Sequence, residues 1–345
     1  MKQCFVSTLQ DGQTVTSHFL VCVKEIRSTR EGKTYLRLEL GDSTGRVEGR
    51  MWTGFDAMAA TFERDDFVKV QARVENYRNK LQLAIEKIRR AEENEVDPAD
   101  FFPHTRENVE EMYAKLLEIV ASVGNPWLRQ LLDSVVQDPE IVPRLKRAPA
   151  AKIMHHAFYG GLLEHVLSLC NLCRVVLSHY PEANADLLLS GAVLHDVGKL
   201  KELSYDRSIG YTDEGQLLGH ILIEYEHLTK KIDAIEGFPS ELKTLVLHML
   251  ISHHGQYEFG SPKLPMFREA LLLHYLDDLD SKMAAIRSAL DSDEGEGNWT
   301  GFNGALARRI LRADKFLGVP AAVIPDASAV AESVASSADS ADGKK

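Results

Sequence analysis

Apolar and polar residues alternate between positions 15 and 90, which is the two-residue period of a β-strand. Turn sequences such as GDSTG at 41–45 and ENYRNK at 75–80 separate the alternating runs. The runs extend from Val15 to Val23, Tyr35 to Leu40, Val47 to Trp52, Phe67 to Val74 and Leu81 to Ile88. Five strands with no helix longer than GFDAMAATF between them predict a small closed barrel of the OB-fold type, since closure leaves no exposed strand edge.

The apolar period becomes helical after residue 105, beyond a linker, VDPADFFPHT, that has two prolines and no periodicity. Two long amphipathic helices are predicted by apolar positions three and four residues apart. One stripe consists of Leu218, Ile221, Tyr225, Leu228, Ile232 and Ile235, and the other of Leu272, Leu276, Leu279, Met283, Ile286 and Leu290. The predicted architecture is therefore multidomain, with an all-β barrel followed by an all-α bundle.

The predicted boundaries are 1–92 for the barrel, 93–106 for the linker, 107–318 for the helical domain and 319–345 for a tail. The last 25 residues contain eight alanines and five serines with scarcely any large apolar side chain. Such a composition cannot build a core and predicts a disordered tail.

Charge is unevenly divided between the two parts of the chain. The formal net charge is −11, with a balance of +4 in residues 1–90 and −15 in the remainder. No stretch approaches the roughly 18 uninterrupted apolar residues of a membrane span, and the N-terminus has no secretion signal, so we expect no membrane association and a cytoplasmic location. Cys170 and Cys173 form a lone CxxC in a strongly apolar helical run, which favours buried structural thiols over a redox or metal site.

His195 and Asp196 end the run DLLLSGAVL, whose continuous apolarity predicts a helix buried on every side. An isolated buried carboxylate is severely unfavourable, so Asp196 must be paired, hydrogen-bonded or coordinated to a cation. An adjacent imidazole favours a metal site. A salt bridge with Lys199, one helical turn further on, is an equally good explanation when the motif is taken alone.

Other potential metal ligands lie next to the apolar stripes of other predicted helices. They are His165 in GGLLEHV, His220 in LLGHI, His253 and His254 in ISHHG, and Asp277 beside Leu276. Each histidine alone is more typical of an ordinary hydrogen-bonded residue than of a ligand. Together they indicate a pocket between helices, and a mixed His/Asp set favours Mn, Fe, Zn or Co over Ca or Mg.

The ordered set His165, His195–Asp196 and Asp277 resembles the H…HD…D signature of HD-domain phosphohydrolases, with His220 and His253–His254 at the positions used by binuclear members. More closely, the chain resembles the YhaM-type 3′→5′ exoribonucleases, which join an N-terminal OB-fold to a C-terminal HD domain. The strings that carry the resemblance are AAKIMHHAFYGGLLEHV, LLLSGAVLHDVGKLKEL, YTDEGQLLGHI, ISHHGQYEFGSPKLP and EALLLHYLDDLDSKM, within about residues 1–315.

The resemblance implies that these seven residues hold a divalent transition metal, as one or two ions. Manganese is preferred, with cobalt, iron, zinc or magnesium as alternatives. Asp278 stands where the family has a non-acidic residue, and alignment with the DxLD pattern favours Asp277 as the ligand.

Two ions about 3.5–4 Å apart can activate a water molecule and bind both the attacking and the leaving oxygen of a phosphodiester. Asp196 is the best bridging candidate because its two oxygens can reach different ions. Lys199 has no lone pair to donate to a metal, so we expect it to stabilise charge on the phosphate.

Substrate contacts are predicted at three further places. His155 and His156 match a histidine run of the family, with a structural role as an equal alternative. Lys263 lies in the loop that follows the His pair, where a simple surface lysine is the alternative. In the barrel, Tyr35, Trp52, Phe55 and Tyr77 are candidate stacking platforms, although a core role is the commoner one for each. Tyr77, with Arg78 and Lys80 in the same turn, is the least core-like.

The sequence thus predicts a metal-dependent 3′→5′ exonuclease acting on single-stranded RNA, and on single-stranded DNA as a second substrate, with nucleoside 5′-monophosphates as products. The polarity comes from the family resemblance alone. A homo-oligomer is compatible with the sequence. The alternatives are an HD phosphohydrolase of a small nucleotide or cyclic dinucleotide, and a non-catalytic nucleic-acid-binding protein.

Overall fold

The computed structural model describes residues 2, 4–29, 31–78, 80–97, 100–102, 104–152, 156–205, 209–293, 295–304 and 306–319. The predicted fold class is confirmed, because a five-stranded closed barrel precedes a set of packed α-helices. The predicted tail, beyond its first residue Val319, and His155 lie outside the described residues.

The barrel closes through the strand order β1-β2-β3-β5-β4, with β1 and β4 paired to complete the circle. Its elements are β1 (Thr14–Ser28), β2 (Thr34–Asp42), β3 (Gly45–Met51), α1 (Phe55–Ala59), β4 (Phe67–Tyr77) and β5 (Lys80–Arg90). Alternate residues fill the interior, as Leu36, Leu38 and Leu40 on β2 show by being fully buried. The two-residue period therefore predicted the barrel because each strand has one inner and one outer face.

The helical part begins after the linker and carries one short hairpin. Its elements are α2 (Val109–Ser122), α3 (Pro126–Val136), α4 (Val142–Leu145), α5 (Gly161–His179), α6 (Ala185–Leu194), α7 (Lys199–Glu202), β6 (Leu203–Ser204), β7 (Gly210–Tyr211), α8 (Asp213–Asp233), α9 (Ser240–Ser252), α10 (Arg268–Ser292) and α11 (Ala313–Leu317). Helix α6 is central, since all its residues from Leu187 to Leu194 are buried. Its uniform apolarity reflects contacts with α3, α5, α9 and α10.

The two predicted helical stripes are partly wrong. Leu218 and Tyr225 of the first stripe are exposed, and so are Leu279 and Met283 of the second. Helix α8 is interrupted at Gly219 (φ 71°, ψ 158°), which changes the direction of the apolar face. In helix α10, Asp280 is buried. Further along this helix the buried residues are Ala285 and Ala289, rather than the large residues of the predicted stripe.

An aromatic chain joins the barrel to the helices. The Phe67 ring on β4 lies 4.6 Å from the ring of Phe101 in the linker, centroid to centroid. Phe102 is 6.4 Å from Phe67 and 5.1 Å from Tyr159, the second residue before α5. Both linker phenylalanines are buried, so this part of the linker is packed against the two domains rather than extended in solvent.

Helix α5 is long and apolar enough, by length and composition, to cross a membrane, and half of its apolar window is buried inside the protein. This is weak evidence for a span, because core helices of soluble proteins meet the same criterion. Cys170 and Cys173 lie on its buried side as free thiols. Burial raises the pKa of Cys170 to about 12, which supports the expected structural role.

Candidate metal centre

Four side chains from three helical segments meet at a first cluster of donor atoms. His165 lies on α5, Asp277 on α10, and His195 and Asp196 follow the end of α6. His165 Nε2 is 3.2 Å from Asp277 Oδ1 and 3.3 Å from His195 Nε2. His195 Nε2 is in turn 3.3 Å from Asp196 Oδ2 and 3.7 Å from Asp277 Oδ1.

These separations fit the coordination of one divalent ion. Two ligands that bind an ion at about 2.1 Å and at right angles are about 3 Å apart. The donors are two imidazole nitrogens and two carboxylate oxygens, a mixture that transition metals favour. The residues present therefore suit the metal that the HD signature implies.

A second cluster adjoins the first on the other side of Asp196. His220 from α8 joins His253 and His254, which follow α9, with ligand atoms within 4.8 Å of one another. Asp196 Oδ1 lies 3.7 Å from His220 Nε2. Asp196 Oδ1, His220 Nε2 and His253 Nε2 are buried and make no hydrogen bond within the described part of the chain. Buried polar atoms rarely lack partners, so these three atoms suit the coordination of a cation.

The five histidines share one arrangement, in which Nδ1 donates a hydrogen bond outward and Nε2 faces the clusters. The Nδ1 acceptors are Asp280 for His165 (2.7 Å), the Ala192 carbonyl for His195 (3.0 Å), Glu202 for His220 (3.2 Å), the Leu250 carbonyl for His253 (2.6 Å) and the Phe259 carbonyl for His254 (2.8 Å). These bonds fix the ring orientation and direct each Nε2 at the pocket, where it can bind a metal in its deprotonated form.

The electrostatics of the two clusters differ. Burial by itself lowers the pKa of His195, but the carboxylates of Asp196 and Asp277 raise it well above its usual value. The first cluster therefore attracts positive charge. In the second cluster, burial and the neighbouring His254 hold the pKa of His253 well below its usual value. That imidazole is neutral at pH 7, which is the state that binds a metal.

The sequence left two explanations open for the buried Asp196, a salt bridge with Lys199 and a metal site, and the position of Lys199 agrees with both. Its Nζ lies 2.7 Å from Asp196 Oδ2, while the same carboxylate takes part in both clusters. Burial would lower the pKa of Lys199, but Asp196 raises it, so the side chain is an ammonium. The salt bridge and the metal site are therefore compatible.

The other predicted site residues lie outside the two clusters, although His156 forms a further group of potential ligands with His165 and Asp280. His156 lies behind His165. Its Nδ1 is 3.5 Å from Glu164 Oε1, and its Nε2 is 3.8 Å from Asp280 Oδ2. Asp278 is turned away from the clusters, and its carboxylate pairs with Lys282 at 2.6 Å. Lys263 is exposed in the loop that follows the His pair.

On the barrel, the aromatic candidates divide into core and surface residues. Phe55 is buried, whereas Tyr77 is exposed. Tyr35 and Trp52 stack on each other with centroids 4.6 Å apart and a 28° interplanar angle. Arg50 lies over the rings of Tyr35 and Tyr77, at 5.8 and 5.5 Å. Two other predicted residues, Arg78 and Lys80, are exposed in the same hairpin as Tyr77.

Four supporting residues were not predicted from the sequence. Asp280 and Glu202 accept the Nδ1 protons of His165 and His220. His274 on α10 donates to the His253 carbonyl at 2.9 Å and so holds the His pair against α10. Glu224 is fully buried, accepts from the Gly198 amide at 3.4 Å, and has its pKa raised well above normal by burial. The one available signal was helical spacing, since Asp280 lies three residues after Asp277 and Glu224 four after His220.

Barrel, helical bundle and clustered ligands together define an OB-fold protein with an HD domain. The family models agree, because the OB-fold nucleic acid binding domain matches residues 21–91 and the HD domain matches residues 162–282. The chain belongs to the YhaM family of 3′-5′ exoribonucleases.

Curated relatives support this assignment over most of their length. The chain is 37% identical to the 3′-5′ exoribonuclease YhaM of Geobacillus sp. strain WCH70 over 281 residues, which are 81% of this chain and 86% of the relative. It is 36% identical to the proteins of that name from Bacillus velezensis strain FZB42 and Bacillus subtilis strain 168, with 81% of this chain and 88% of each relative covered.

Proposed function

We propose that this protein is a metal-dependent 3′→5′ exoribonuclease that degrades single-stranded RNA to nucleoside 5′-monophosphates. The observation that carries the proposal is the convergence of five histidine Nε2 atoms and two carboxylates on adjoining clusters, with Asp196 between them. The relatives that share this chain's architecture are named as 3′-5′ exoribonucleases, and the proposed polarity depends on them.

In this proposal His165, His195, Asp196 and Asp277 would hold one ion. A second ion would be held by His220, His253 and His254, and Asp196 could contribute to both sites. We favour manganese, because imidazole and carboxylate together suit it. When bound, such ions supply Lewis acidity toward the phosphodiester and lower the pKa of water.

The protein's own groups position and neutralise the substrate. Lys199 keeps its charge beside Asp196, where it can bind a non-bridging phosphate oxygen and stabilise the extra negative charge that develops during hydrolysis. The outward hydrogen bonds of the histidines keep the ligand atoms in place before substrate binds, so little reorganisation is needed. His156 and Lys263 remain candidate phosphate contacts at the edge of this centre.

We propose that the barrel guides the strand. The stacked pair Tyr35–Trp52 offers an aromatic surface for bases, and Arg50, Arg78 and Lys80 offer cations for the backbone. Stacking on aromatics is tolerant of sequence and admits DNA as well as RNA, so single-stranded DNA is a second proposed substrate. Cellular RNA as substrate agrees with the expected cytoplasmic location.

The decisive experiment uses metal-depleted protein with RNA labelled at either end. We expect no cleavage without metal, restoration by Mn²⁺ in a comparison with Co²⁺, Mg²⁺ and Zn²⁺, and progressive shortening of 5′-labelled strands with release of mononucleotides. Asp196→Asn should abolish cleavage, because a neutral amide binds a divalent ion much more weakly than a carboxylate does. Full activity without a divalent ion would refute the proposal. An intact oligonucleotide alongside hydrolysis of a small nucleotide would favour the alternative phosphohydrolase.

A further inference from the structure

The loop after the His pair, residues 256–263, is held rigidly against the metal centre. His254 Nδ1 donates to the Phe259 carbonyl at 2.8 Å, so a proposed metal ligand is bonded directly to this loop. Ser261 is buried, and its hydroxyl lies 3.0 Å from the Ile251 carbonyl and 2.9 Å from the Lys263 carbonyl. Gly260 adopts φ 83°, a conformation that ends the turn and favours glycine.

Two aromatic rings project from this fixed loop into solvent. Tyr257 is 61% exposed and Phe259 is 57% exposed. These two rings are two residues apart in the sequence, and their exposure leaves apolar surface uncovered on a turn that is otherwise held by hydrogen bonds. Because the backbone is fixed by hydrogen bonds, the rings would need little reordering to receive a flat ligand.

The loop is also bonded to a partly exposed residue of the metal centre, His254. Five of the seven proposed ligands are buried, whereas His254 and Asp277 are partly exposed. A polymeric substrate must approach through the exposed side, and His254 is the ligand that is bonded to the loop. Phe259 is therefore the residue whose backbone contacts the partly exposed ligand His254, while its own ring is 57% exposed to solvent.

We infer that Phe259, assisted by Tyr257, forms a stacking subsite for a base within the last three nucleotides of single-stranded RNA. This inference rests on the proposed function and adds a substrate contact to it. Every base has a π-face, so an aromatic ring at this place binds the terminal nucleotides without selecting their sequence. The subsite would place the terminal phosphodiester over the metal centre for each successive cleavage.

The experiment combines a ring deletion with a base deletion. Wild-type protein and Phe259→Ala are assayed with Mn²⁺ on a trinucleotide and a 30-mer, and on versions that carry one abasic nucleotide at each of the last three positions. Phe259→Ala should raise KM about tenfold on both lengths. At one of the three positions, removing the base should raise the KM of the wild type by a similar factor. The same removal should leave the KM of Phe259→Ala unchanged, because this variant has no ring on which the base could stack.

Two variants and two measurements control the interpretation. Phe259→Tyr should restore the wild-type KM, and Phe302→Ala, which removes a 69% exposed ring after α10, should behave as wild type. Manganese stoichiometry by calorimetry and molecular mass by light scattering should be the same for wild type and Phe259→Ala, since the Phe259 carbonyl is retained.

Three results would overturn the inference. They are an unchanged KM in Phe259→Ala, an abasic penalty that persists in that variant, or a change in mass, which would assign the rings to contacts between copies of the chain. Failure of wild-type protein to shorten RNA with any metal would instead refute the proposed function itself.

Discussion

At the scale of single residues, each histidine of the metal centre uses its two ring nitrogens for different partners. Nδ1 is bonded to a carboxylate or a carbonyl, and Nε2 is directed at the neighbouring ligands. The sequence predicted the ligands because their residue types and their resemblance to a family motif are visible. It did not predict Asp280 or Glu202, since an acidic residue on a helix is usually solvated and only the fold brings these two against an imidazole.

Asp280→Ala should weaken metal binding, because it removes the acceptor that fixes the tautomer and orientation of His165. Loss of such an outer partner typically costs about 10–100-fold in metal affinity. Titration calorimetry of metal-depleted protein with Mn²⁺ measures this directly. Asp278→Ala is the matched control, since it removes a carboxylate two residues away that pairs with Lys282. Equal affinities in the two variants would contradict the role of Asp280.

At the scale of elements, helix ends and one helix break set the directions of the ligands. His195, His253 and Asp196 lie just beyond the ends of α6 and α9, where the chain can leave the helix path. Within α8, the backbone breaks at Gly219, one residue before His220. The apolar stripe of α8 was mispredicted for this reason, because an uninterrupted 3.6-residue period assumes one straight helix.

Gly219→Ala should destabilise the protein and displace His220. The backbone angles of Gly219 lie in a region that is essentially restricted to glycine, and a side chain there costs about 1–3 kcal/mol. Among the described residues, the nearest atom to the position of an alanine Cβ would be Glu202 Oε1 at 4.0 Å, so the cost is conformational rather than steric. Chemical denaturation measures the loss, and Mn²⁺ titration should show one weakened site.

Gly124→Ala provides the comparison for this substitution, since Gly124 precedes α3 with an ordinary φ. In the described part of the chain, an alanine Cβ there would meet one atom within 4 Å, Asp186 Oδ2 at 3.4 Å. Its free energy of unfolding should change by no more than about 0.5 kcal/mol. A similar loss in both variants would show that the break at Gly219 has no special importance.

At the scale of the whole molecule, the barrel and the helices are joined by the aromatic chain from Phe67 through Phe101 and Phe102 to Tyr159. Large rings in contact bury much area and limit relative movement. The linker was expected from its prolines and absent periodicity, but its two buried phenylalanines had no pattern to reveal their packing. The proposed division of work places strand binding on the barrel and hydrolysis in the bundle.

Trp52→Ala should impair the processing of long strands and spare very short ones. Trp52 is 38% exposed and stacks on Tyr35, so its loss removes half of the proposed platform. KM for a 30-mer should rise about tenfold, by the usual contribution of one stacked base. KM for a trinucleotide, whose few nucleotides must occupy the metal centre to be cleaved, should stay the same. Trp299→Ala, which removes a 55% exposed indole after α10, is the control. A parallel loss on both lengths would indicate a structural role for Trp52.

The sequence by itself determined the barrel and the helical bundle, because strand and helix periods are properties of neighbouring residues. It also supplied the candidate metal ligands, through their chemistry and their resemblance to a family motif. Only the tertiary structure decided that Asp280 and Glu202 accept hydrogen bonds from two of the candidate ligand histidines, that Asp278 pairs with Lys282, and that His156 is behind His165. Those outcomes depend on how helices distant in sequence cross and rotate, and local periodicity contains no information about such contacts.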